Sequence, residues 1–148
     1  MSTVAWHLEH SVEAGVSATF AWTFWTDVRN WDDPPATFRL DGPFLAGSWG
    51  TTLIPGRDAL RWHIRDVMPY RSFVIELPID PAATLSFEWV FESLSDRRTR
   101  LTQHIRLSGS NAAAHADQVR AGFSATLQDG MARIARNLAA AESVSRSS

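Results

Sequence analysis

The sequence predicts an α+β domain in which an antiparallel sheet of about six or seven strands packs on one long C-terminal helix. Two observations carry this. Between Ala36 and Ser108 the chain is a succession of short alternating apolar segments, separated by clusters of Gly, Pro, Asp and Ser. After "SGSN" the apolar spacing lengthens from two residues to three or four, the period of a helix with one greasy face.

Val4 to Val12 alternates, with Trp6, Leu8, His10 and Val12 on one parity and His7, Glu9 and Ser11 on the other. This pattern is a half-buried strand. Ser17 then offers a helix cap, and the helix runs to about Trp25. "DDPP" at Asp32–Pro35 stops any helix there. Strands follow at Thr37–Asp41, Ser48–Ile54, Ala59–Val67, Ser72–Leu77, Ala83–Glu92 and Arg100–Leu107. Their short connections imply an antiparallel meander. "DRRTR" is a hairpin tip rather than a phosphate site. Val119, Phe123, Leu127, Met131, Ile134 and Leu138 form the apolar stripe of a helix from about Ala112 to Glu142. Residues 1–142 thus form one domain, and 143–148 a frayed polar tail.

Composition narrows the function. The 148 residues suit one domain with a real core, and 45% hydrophobic with 20% charged residues is ordinary for a globular protein. A net charge of −2 gives no broad electrostatic case for nucleic acid. There is no cysteine, which removes disulfides, thiolate catalysis and cysteine-ligated metals and fits a cytoplasmic setting. The first residues lack the charged and apolar regions of a signal peptide, and no apolar run approaches the roughly 18–20 residues of a membrane span. HExxH, GxSxG and phosphate-loop motifs are missing, so no metal and no cofactor is expected.

Several motifs, in order along nearly the whole chain, resemble the START-like helix-grip superfamily, also called SRPBCC. "VEAGVSATFAW" looks like that family's first strand leading into its first helix. "FWTDVRNWDDP" looks like its aspartate-containing segment, "LDGPFLAGSWG" like its Gly-Pro-to-Gly connection and "RTRLTQHIRLSG" like its last strand. The resemblance implies a curved sheet gripping the long helix, two short helices after the first strand, and an internal cavity for an apolar small molecule. Binding, transport and catalysis all occur on this fold, so it does not name the activity.

The aromatic segment Phe20–Trp31 should therefore be mostly packing, with Trp22 or Trp25 the rings to reach a pocket. Trp31 is read as packing and Asp27 as a structural turn residue. Inward parity on the strands includes Trp62 and Trp89, and it leaves two polar residues facing in: His10 and Gln103. Each needs a neighbour, a buried water or a ligand as partner. Expected ligand contacts are His10, Trp22, Trp62, Trp89, Gln103, Phe123, Leu127 and Met131. The first expectation is a protein that binds a hydrophobic ligand. The alternative is a polyketide cyclase/dehydratase-like enzyme with His10 as acid–base, no other catalytic residue being assigned. A homodimer is left open. Gly130, near the helical stripe, marks close approach of the sheet or room for a ligand, or else is a tolerated surface glycine.

Overall fold

The computed structural model describes residues 4–31 and 33–147. Met1–Thr3, Asp32 and Ser148 lie outside the described residues. Seven strands form one antiparallel sheet: β1 (Val4–Ala14), β2 (Thr37–Asp41), β3 (Trp49–Leu53), β4 (Leu60–Met68), β5 (Ser72–Asp80), β6 (Ala83–Ser95) and β7 (Arg98–Ser108). The spatial order is β1-β7-β6-β5-β4-β3-β2. Six consecutive strands thus form a meander, and β1 closes onto β7. Register shifts in β1, β4, β5 and β6 bend the sheet.

Strand parity places the residues as the alternation implies. Trp62, Ile64, Trp89, Phe91, Leu101, Ile105 and Leu107 are all buried on the inner face. Arg61, His63, Arg65, His104 and Arg106 make their contacts on the outer face. β5 runs past the predicted end at Leu77 through Pro78 to Asp80. A proline is tolerated there because β4 has already stopped pairing, its last partner being Glu76.

Helix α1 (Ala18–Trp25) starts at Ser17, whose hydroxyl accepts from the Phe20 N–H at 3.1 Å. A 3₁₀ turn at Val28–Asn30 follows. Asp27 caps it by accepting from the Arg29 N–H at 3.0 Å. The Arg29 guanidinium also pairs with that carboxyl, and their hydrogen bond holds its pKa below the ordinary carboxylate value.

The C-terminal helix is not continuous. A 3₁₀ turn at Ala112–His115 leads into α2 (Ala116–Phe123), and α3 (Leu127–Ser147) follows after a turn at 124–126. Gly122, Ser124 and Thr126 are weak helix formers, and Thr126 Oγ1 donates to the Gly122 carbonyl at the break. The stripe hid the interruption because Phe123 and Leu127 stay on the sheet side across it. At its far end α3 passes Glu142, since residues 143–147 contain no Gly or Pro to stop it. No helix among the described residues is long and apolar enough to cross a membrane.

α3 packs against β1, and Leu138 and Met131 are its most enclosed residues, at 0% and 1% exposure. Leu127 is buried too, whereas Phe123 and Ile134 are only half buried. A clip joins the end of β5 to the start of the helical region. His115 Nε2 donates to Asp80 Oδ2 at 2.6 Å, Asn111 Nδ2 donates to the same oxygen at 2.8 Å, and the Ala82 N–H donates to Oδ1. These three bonds, the His115 one foremost, lower the Asp80 pKa.

Two outcomes follow. Leu138→Ala should cost about 2–5 kcal/mol in chemical denaturation, and Leu127→Ala clearly less, because Leu127 already borders open space. Asp80 has a lowered folded pKa, so its contribution is present above its unfolded value of about 3.9 and fades as pH falls through the folded value. Asp80→Asn should therefore lower the melting temperature at pH 7, with the gap from wild type closing below about pH 4; a gap constant from pH 7 to pH 3 would contradict the clip.

Candidate functional site

The sheet's inner face and the C-terminal helices line a half-open cavity of about 760 Å³. Every strand except β1 contributes to its wall or rim. β2 supplies Phe38, β3 Thr52, β4 Leu60 and Trp62, β5 Ile75 and Leu77, β6 Phe87 and Trp89, and β7 Gln103 and Ile105. The helical side supplies Phe123, Leu127, Gly130, Met131 and Ile134, and the segment after β1 supplies Trp25 and Trp31. Asp33, Asp129, Arg133 and Arg136 add the charged residues.

Four of the chain's seven tryptophans border this space. They form a run of touching rings: Trp89 to Trp25 at 5.3 Å between centroids, Trp25 to Trp31 at 5.8 Å, and Trp31 to Trp62 at 5.6 Å. Phe38 joins edge-on to Trp31 at 5.4 Å. Such tilted and edge-to-face contacts are favoured by the ring quadrupoles. Hydrogen bonds fix two of the indoles. Trp31 Nε1 donates to the Trp25 carbonyl at 2.8 Å, and Trp62 Nε1 donates to Thr52 Oγ1 at 3.0 Å.

Gly50 is part of the same construction. It sits in β3 opposite Trp62, and a Cβ there would run into the Trp62 indole. The indole lies over the bare backbone, a place open only to glycine. Within "GSWG" this residue resembles a turn glycine, so its role is visible only once the register is known. Gly130 shows the opposite environment: a Cβ there would meet nothing within 4 Å. Close approach of the sheet is thus excluded, and Gly130 leaves room where the helix borders the cavity.

Six of the eight expected contact residues therefore border the cavity: Trp62, Trp89, Gln103, Phe123, Leu127 and Met131. Two do not. Trp22 lies one helical turn before Trp25 and is enclosed instead by Phe91, Phe73 and Tyr70, with centroids 5.2, 6.0 and 5.9 Å away. His10 has the predicted parity and pairs with Gln103 across β1 and β7, but it is not in the wall. β1 is the edge strand against which α3 packs, so the cavity opens over the other six. Trp31, expected only to pack, is instead both packed and exposed to the cavity.

The other histidines are dispersed. His7 and His104 meet on the outer face, Nε2 of His104 lying 3.4 Å from Nδ1 of His7. Burial, then the Arg106 charge, push the His104 pKa down. His63 bonds Glu76 on the same outer face. No group of three or more His, Asp or Glu suited to a metal occurs among the described residues.

No family model matches the sequence, and no curated protein matches it. Solved structures do match. Norcoclaurine synthase from Thalictrum flavum superimposes with a TM-score of 0.72 at 11% identity, over 96% of this chain and 98% of that one. The Zhui aromatase/cyclase from a Streptomyces species gives 0.63 at 18% identity, over 95% and 93%. Ara h 8.0201 gives 0.66 at 13% identity, over 92% and 98%. The chain therefore has the START-like helix-grip fold, and at these identities the likeness is one of fold.

Gly50→Val should push the Trp62 indole off β3 and break its bond to Thr52. The expected cost is about 1–3 kcal/mol of stability, with a changed tryptophan emission spectrum. Unchanged emission and stability would show that the strand yields and the indole does not depend on Gly50.

Proposed function

We propose that this protein binds a largely apolar, aromatic small molecule in the cavity between the sheet and the C-terminal helices. One observation carries the reading: a space of about 760 Å³ walled by four tryptophans. Small-molecule sites are typically concave, mostly apolar spaces of about 300–1,000 Å³ with a few polar groups, and this space has that form. Burying about 250 Å² of ligand surface at about 25 cal/mol per Å² supplies roughly 6 kcal/mol, and stacking on indoles adds to it. Gln103 and Thr52 are the polar side chains that the sheet adds to this wall; an amide can both donate to and accept from a ligand oxygen.

Fold relatives agree in kind: one norcoclaurine synthase structure holds dopamine and hydroxybenzaldehyde, both aromatic. The cyclase-like alternative keeps the support of the aromatase/cyclases among the fold relatives, but His10, its expected acid–base, lies outside the cavity wall. The lack of cysteine is consistent with work in the cytoplasm, and the net charge of −2 gives no reason to add a nucleic-acid partner.

The test uses the neutral fluorophore N-phenyl-1-naphthylamine. It should bind one per chain, brighten, and quench tryptophan emission. Gly130→Leu should fill the cavity and sharply weaken the probe while leaving the protein at least as stable, leucine being the better helix former. A probe that ignores wild-type protein, or binds Gly130→Leu equally well, would refute the site.

A further inference from the structure

The charged residues at the cavity are not equivalent. Arg133 Nη2 reaches Asp33 Oδ1 across the space between α3 and the turn before β2, but only at 3.5 Å. A charge-assisted N–H···O bond is normally about 2.7–2.9 Å. Arg133 Nε is shielded from water and has no hydrogen-bond partner among the described residues. The Nε–Nη2 edge, the one that grips a carboxylate with two parallel bonds, is thus all but unused in a group that always carries charge. A donor left unpaired away from water is costly. Asp33 is more open still, with 72% of its side chain exposed against 41% for Arg133, whose Nε alone is covered. Arg136, also at the cavity, adds a second positive charge, set against Asp129.

We propose that the ligand is an aromatic acid whose carboxylate displaces Asp33 and pairs with the Nε–Nη2 edge of Arg133 while its rings stack on the tryptophan wall. This rests on the cavity being a binding site and adds the charge of what it holds. An amine is the weaker fit: the two acids at the cavity, Asp33 and Asp129, are both exposed to solvent, whereas the unmet group is a donor. Seating the acid requires the guanidinium to turn, because Nε is now covered. The ion pair with Asp33 therefore competes with ligand, and the bound state exchanges one long contact for two short ones.

The experiment compares 2-naphthoate with 2-naphthamide, which share a ring system and differ in charge, by calorimetry on the intact chain at pH 7. Wild type should bind the acid at least about tenfold more tightly than the amide. In Arg133→Gln that ratio should fall toward one. In Asp33→Asn, a change at an exposed position that leaves Arg133 without its competitor, the ratio should rise several-fold. A wild-type ratio near one with both compounds bound would overturn the acid inference and leave the apolar site standing. Failure of both compounds to bind would overturn the two together. If Arg133→Gln does not fold, the Asp33→Asn arm decides: an unchanged ratio there refutes the proposal.

Discussion

A seven-stranded sheet is wider than the helix that must cover it, and most of this structure follows from that mismatch. Six interstrand gaps of about 4.8 Å give a sheet roughly 29 Å across, whereas a helix with its side chains is about 10 Å thick. α3 settles on the β1 side, where Leu138 and Met131 become fully enclosed. The inner faces of the remaining strands carry Trp62, Ile75, Phe87 and Trp89, and they need other cover. The segment from Ala18 to Trp31 supplies part of it, folding its rings over the far strands. Neither element reaches the middle, and the middle is the cavity.

That space stays open because its walls are stiff. Indoles have few rotamers, and here they brace one another in a line from Trp89 to Trp62. Bonds from Trp31 to a carbonyl and from Trp62 to Thr52 set two of the ring orientations. Gly50 lets one indole lie flat on the strand beside it, while Gly130 keeps the helix side free of a side chain. Two residues without side chains thus serve opposite ends: one admits a protein ring, the other leaves a place for something that is not protein. Gly130 lies in the first turn of α3, where a glycine costs less than in a helix interior.

Polar groups divide the molecule by role. The Asp80–His115–Asn111 clip and the Asp27–Arg29 cap hold turns and helix starts in place, and their partners are satisfied within the chain. Arg133 is different, since its best donor edge finds no adequate acceptor among the described residues. A group that is complete serves the fold; one left incomplete beside a cavity points to what enters it.

Local order was legible from the chain alone. Period-two alternation assigned the inner faces of β4, β6 and β7, including Gln103, because pleating makes parity a direct consequence of sequence. Ser17 as a cap, Asp27 as a turn residue and the apolar stripe from Val119 to Leu138 were readable for the same local reasons. Placement across the sheet was not. His10 and Gln103 share parity and even face each other in register, yet only Gln103 reaches the cavity, because α3 chose the edge strand beside one of them. Trp22 and Trp25 share a helix face, yet one turn of rise carries Trp22 into the core and leaves Trp25 on the wall. Gly50 acquires meaning only from the strand opposite, and Arg133 only from Asp33, one hundred residues away. Alternation and capping act over a few residues and are written in the sequence; which surface is left uncovered is a sum over all the elements, and only the assembled structure performs that sum.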